Sequence, residues 1–202
     1  MVFKTLKSKK LVKILLFLVS LLIGSWLYVS FFMNLLPRFF GNMENIEKNV
    51  LAVLIIVITT YILLLILLRI DSKKERYVLL GLYLLVLILG LLRLDPQHRY
   101  ATGEIGLNPL GFISDISGDE ASFYVMAINL AIFVPFYFLL AYANILKGFW
   151  SRLLIFELFI LLIEYLQFQF NFGLFDVSDI FLYNIGFLVG YVISLSILKL
   201  LK

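Results

Sequence analysis

"NVLAVLIIVITTYILLLILLR" covers residues 49–69, and from Asn49 to Leu68 it contains no Asp, Glu, Lys, Arg or His. At 1.5 Å per residue, a helix of this length covers about 30 Å, the thickness of a bilayer's hydrocarbon core. Such a helix has no polar side to turn to water. Its many Val, Ile and Thr residues are indifferent helix formers in water. In lipid, every backbone N–H and C=O must be satisfied within the chain, and a helix does this over a single span. The stretch therefore reads as a membrane span, over about 48–69.

The rest of the chain supports this. Its 202 residues are 63% hydrophobic and only 15% charged, with a mean hydropathy of +1.05. A water-facing surface cannot be built from so few polar groups. Five further spans are predicted, at about 11–36, 77–94, 120–146, 151–170 and 177–199, to give an all-α polytopic bundle of six transmembrane helices. Residues 1–75 form an N-terminal pair of spans. Residues 76–202 form a four-helix core with a polar loop over 95–119. The opening "MVFKTLKSKKLVK" resembles the basic start of a signal peptide. Its apolar run is too long for one, and no small-x-small cleavage site follows, so a retained anchor is expected.

Lys and Arg set the expected orientation. With both termini in the cytoplasm, 13 of the 17 basic residues fall inside: Lys4, Lys7, Lys9, Lys10 and Lys13, then Arg69, Lys73, Lys74 and Arg76, then Lys147, Arg152, Lys199 and Lys202. Arg38, Lys48, Arg93 and Arg99 fall outside. The net charge of +4 thus follows membrane topology and does not indicate nucleic acid as a partner. With no cysteine, a disulfide, a thiolate metal site and a cysteine nucleophile are all excluded.

Most acids fall on the outer side, where polar residues from several spans converge. Glu164 lies about six residues inside the outer end of its span, with Gln167 one turn further out and Glu157 seven residues deeper. Asn129 and Asn184 lie roughly two turns into their spans, Asp176 and Asp179 stand at the start of the last, and Arg93 ends the third. An ionised side chain at the bilayer centre costs on the order of 3 kcal/mol, so such groups face a partner or a cavity and are functional candidates. Structural readings stand beside this. Asp176 and Asp179 also fit an N-cap and a dipole-favoured acid in the first turn. "SGDE" (117–120) has capping-box spacing. Asn129 and Asn184 also fit interhelical hydrogen bonding, and Gly186 and Gly190 fit close helix packing. Pro135 reads as a kink. His98, the one histidine, reads as a solvated loop residue.

Four pieces of sequence in order resemble the VanZ-like family, small membrane proteins named for teicoplanin resistance. Its members carry an arginine before an Asn-Leu-x-Pro-Phe-like stretch, then Asn-x-x-x-Phe-x-Pro, Glu-x-x-Gln, and Asp-x-Asp-Asp followed by Asn-x-x-Gly. This chain has Arg99 before "LNPLGF" (107–112, with Asn108), then "NLAIFVP" (129–135), "EYLQ" (164–167) and "FDVSDIFLYNIG" (175–186). It departs from the pattern at Ser178, where an aspartate is usual, in the order of "LNPLGF", and in lacking a basic residue before Asp176. The resemblance spans about residues 93–200. It implies a multi-pass protein of the bacterial plasma membrane with a cell-envelope role, in some members lowered glycopeptide sensitivity, and no established reaction.

The expected function is binding of a polar headgroup, of membrane lipid or of a lipid-linked wall precursor. The candidate ligand-binding residues are Arg93, Arg99, Asn108, Asn129, Glu164, Gln167, Asp176, Asp179 and Asn184. Basic residues would meet phosphate, and amides and acids would meet sugar or peptide groups. No cofactor or metal is expected, and no catalytic residue is assigned. The competing expectation is an intramembrane hydrolase or transferase with Glu164 or Asp179 as acid or base. A transporter and a purely structural subunit remain further readings, the first without an internal repeat to support it.

Overall fold

The computed structural model describes residues 2–40, 45–92, 105–113, 120–170 and 175–200. They are almost wholly helical, and the chain divides into two compact units, Met1–Tyr83 and Leu84–Lys202. Three helical stretches are long and apolar enough to cross a membrane: Lys9–Pro37, Ile46–Leu67 and Val177–Leu200. Many large apolar side chains lie on the outside, among them Leu22, Leu67 and Leu200. Water would expel such a surface, and lipid accommodates it.

In the N-terminal unit, α1 (Val2–Leu27) passes through a π turn (Tyr28–Phe32) into α2 (Met33–Phe40), and α3 (Ile46–Leu67) packs against α1. The contact is close because position 24 is glycine: a Cβ there would stand 2.9 Å from Val57 Cα. The Tyr28 hydroxyl, on the π turn, donates to Asn49 Oδ1 of α3. α4 (Lys73–Leu91) begins in this unit. Its start is tied to α1 by Lys13 Nζ, 2.7 Å from Glu75 Oε1. The other oxygen, Oε2, accepts the Ser72 N–H at 2.8 Å and the Ser72 hydroxyl. One carboxylate thus closes the helix start, as in a capping box, and clamps a second helix.

In the C-terminal unit, the span expected over 120–146 is two helices, α5 (Glu120–Ala131) and α6 (Val134–Tyr142). Pro135 is the cause. It has no N–H to give the Ala131 carbonyl four residues back, and the backbone tightens to Phe133 N–H to Leu130 O at 3.4 Å and Phe136 N–H to Phe133 O at 3.1 Å. α7 (Phe149–Gln169) follows, then α8 (Val177–Leu200). α5 and α6 both pack on α8, where the Leu130 and Val134 carbonyl oxygens press onto Gly186 and Gly190. The small-xxx-small step is therefore a backbone contact. Around it lies an aromatic core: Phe133, Phe156 and Phe187 are fully buried, Phe156 stacks on Phe187 at 4.3 Å, and Tyr183 lies 4.4 Å from Phe133. At the other end of α7, Arg152 donates to the Tyr137 hydroxyl and to the carbonyls of Ile145 and Leu146, fixing the α6–α7 turn.

The loop expected over 95–119 is structured over residues 105–113. β1 (Ile105–Gly106) pairs in parallel with β2 (Phe175–Asp176), just before α8. Phe112 stacks on Phe181 of α8 at 6.2 Å, and Gly111 lies against Ser178. The described part of the loop is thus strapped to the first turns of α8.

Two outcomes follow from these contacts. Gly186→Ala and Gly190→Ala each place a methyl group in a carbonyl oxygen and should lower stability by about 1–3 kcal/mol, measured as thermal unfolding in detergent. Gly81→Ala has nothing within 4 Å to meet and should be neutral or stabilising by up to about 1 kcal/mol. For Glu75, burial acts to raise the carboxyl, but the bonds from Lys13 and Ser72 outweigh it and hold the pKa at about 2 against an ordinary 4.5. A depressed carboxylate stabilises the fold above its unfolded pKa and loses that contribution as pH falls. Stability should therefore drop from about pH 4.5 towards about 2. Glu75→Gln should be less stable at neutral pH and flatter through that window.

Candidate functional site

Helical geometry builds the site from α8. Asp176 precedes the helix and accepts the Ser178 N–H on Oδ1 at 2.8 Å, an N-cap bond. Asp179 stands in the first turn. One turn later on the same face comes Tyr183, then Gly186 and Gly190. The face that packs against α5 and α6 therefore carries the acids at its start.

Facing it, Glu164 of α7 is fully buried. Its Oε2 accepts the backbone N–H of Asp176 at 3.2 Å, so one bond joins the C-terminal part of α7 to the start of α8. Its Oε1 is buried and has no hydrogen-bond partner among the described residues. The Tyr183 phenol lies beside the carboxyl, within hydrogen-bonding reach of it, and the fields of Asp176 and Asp179 reach both groups. From α5, Asn129 Nδ2 donates to Asp179 Oδ1 at 2.8 Å. Glu164, Asp176, Asp179, Asn129 and Tyr183 thus form one polar cluster over the aromatic core.

Gly106 of the strap covers one edge. A Cβ there would stand 2.9 Å from Asp176 Oδ1, so only glycine lets β1 lie this close to the carboxylate. Parallel pairing of β1 with β2 also holds the Asp176 backbone, whose N–H serves Glu164.

The other candidates lie elsewhere. Gln167 Nε2 donates to the Leu91 carbonyl at 2.7 Å and closes the end of α4. Asn184 Nδ2 bonds the Ile180 carbonyl of its own helix at 3.1 Å, and its side chain faces Glu157, a level deeper than Glu164. Asn108 is exposed and caps a turn, with Oδ1 accepting the Leu110 N–H at 3.1 Å. Arg93 and Arg99 lie outside the described residues, as do His98 and Ser117 to Asp119. Sequence reasoning missed Tyr183 and Gly106. Tyr183 carried a signal, its place four residues after Asp179, whereas Gly106 becomes visible only once the strap is paired. Among the described residues, no three acidic or histidine side chains are placed to hold a metal ion.

The Asn129–Asp179 bond should be measurable. A double-mutant cycle with Asn129→Ala and Asp179→Ala, read by thermal unfolding in detergent, should give a coupling on the order of 0.5–2 kcal/mol. Additive effects would mean the bond contributes nothing.

Neither curated proteins nor solved structures match the chain. A sequence model of the VanZ/LLP1 family matches residues 76–199, a stretch holding every residue of the polar cluster and the glycine step beneath it. That is more than half of the 202 residues, and the chain is a membrane protein of the VanZ/LLP1 family.

Proposed function

We propose that the protein is a multi-pass component of the bacterial cell envelope that binds a polar headgroup, of membrane lipid or of a lipid-linked wall precursor, at the Glu164 cluster. On this reading six spans cross the plasma membrane, both termini are cytoplasmic, and the cluster opens to the outer leaflet. The observation that carries the proposal is the buried Oε1 of Glu164, which lacks a hydrogen-bond partner among the described residues. A buried polar atom left unpaired costs about 1–3 kcal/mol, more if charged. A ligand hydroxyl, amide or amine donating to it would recover that cost. Asp179 supplies a further acceptor beside it, and Arg93 and Arg99 would meet a phosphate. Lowered sensitivity to teicoplanin would follow if the ligand is a wall precursor.

The same oxygen also suits the hydrolase or transferase reading, in which Glu164 takes a proton from substrate or water. The two readings differ in what Glu164→Gln does. The amide keeps the shape and the acceptor for the Asp176 N–H but is not a base.

The test is glycopeptide sensitivity of a deletion strain complemented with wild type, Glu164→Gln, Asp179→Asn or Gly186→Ala, with membrane levels checked by blot. The expected result is that Glu164→Gln and Asp179→Asn reach normal level yet fail to complement, whereas Gly186→Ala fails only in proportion to lost protein. Full complementation by both acid variants would reduce the cluster to capping and packing. Lipid extracted with purified Glu164→Gln separates binding from reaction: reduced lipid supports binding, and undiminished lipid with lost function supports catalysis.

A further inference from the structure

The N-terminal unit carries a second feature, built from none of the cluster's residues. Lys9 and Lys10 lie about one turn before Lys13 on α1, and Lys73 and Lys74 immediately precede Glu75 on α4. The Lys13–Glu75 ion pair joins positions 62 residues apart and so gathers both lysine pairs at one end of the unit. All four lysines are exposed. The two acids nearby are already engaged: Asp71 Oδ2 lies 2.6 Å from Arg76 Nε, and Glu75 is shared between Lys13 and Ser72. Among the described residues, neither ion pair at this end uses any of the four lysines.

Their position adds to the positive field. Lys73 and Lys74 occupy the first turn of α4, where the helix dipole disfavours cations, and the one acid of that turn, Glu75, is already held by Lys13 and Ser72. Next to Lys9 and Lys10 the apolar surface begins, with Leu11, Ile14 and Leu15 all exposed. The lysines therefore stand at the boundary between an acyl-chain surface and water, the level at which lipid phosphates lie, and their methylene stems can run along the apolar side with the ammonium groups at the phosphate.

We propose that Lys9, Lys10, Lys73 and Lys74 form a binding site for the phosphate of an anionic phospholipid headgroup. The acyl chains lie on the exposed apolar face of α1, which favours a lipid over free phosphate. The site is independent of the proposed headgroup binding at Glu164.

The test titrates the full chain, purified in mild detergent, with phosphatidylglycerol or phosphatidylcholine and counts bound lipid by native mass spectrometry. Wild type should prefer phosphatidylglycerol, and the preference should fade with added salt. Lys9→Gln with Lys10→Gln, and Lys73→Gln with Lys74→Gln, should each weaken phosphatidylglycerol binding by roughly fivefold per lysine removed, leaving phosphatidylcholine unchanged. Lys199→Gln, on the C-terminal unit, should have no effect. Undiminished phosphatidylglycerol binding by both double variants would overturn the proposal, as would equal loss of both lipids or an equal loss in Lys199→Gln. A C-terminal reporter fusion checks that each variant keeps the wild-type topology. Each double variant carries the test separately, so misfolding of one leaves the other decisive.

Discussion

Leu130 and Val134 press their carbonyl oxygens onto Gly186 and Gly190, and the C-terminal unit is arranged around that contact. In lipid, helices gain little from hiding apolar side chains from one another, because the acyl chains are equally apolar. Association then rests on close packing and on weak Cα–H to carbonyl contacts, both of which need a residue without a side chain. Two glycines one turn apart supply it. The break before Pro135 re-aims the chain at this level, so α5 and α6 can both follow α8.

The polar cluster is a consequence of this arrangement. Once α5 and α6 lie on the glycine face of α8, Asn129 stands opposite Asp179, fifty positions away in sequence. Glu164 then reaches the backbone of Asp176 from α7. The aromatic core beneath has Phe133, Phe156 and Phe187 fully buried, with the Tyr183 phenol beside the carboxyl. A carboxyl with one oxygen satisfied and one not is expensive in such surroundings.

The strap ties a polar segment to the start of an apolar, membrane-length helix. Two residues of β1 pair with the two residues before α8, and Gly106 brings the segment down onto the Asp176 carboxylate. Asp176 is consequently both a helix cap and part of the cluster. The capping reading of Asp176 holds: its side chain serves its own helix while its N–H serves α7.

Hydropathy by itself determined the membrane class and the all-α fold, since a run such as 49–68 can satisfy its backbone in lipid only as a helix. The order of motifs from Asn129 to Gly186 determined the family, and the paired glycines determined close packing. The acids at the start of α8 and Glu164 were also legible as a group, because charge is rare in such a chain. Tertiary structure alone decided which polar residues meet. Gln167 shares a helix face with Glu164 but bonds the end of α4, and Asn184 turns away to the level of Glu157. Tyr183 enters in their place, and Gly106 arrives from a loop far away in sequence. Spacing along a helix fixes which side chains share a face, but the partner across that face depends on how closely two backbones approach, and here two missing side chains set that distance.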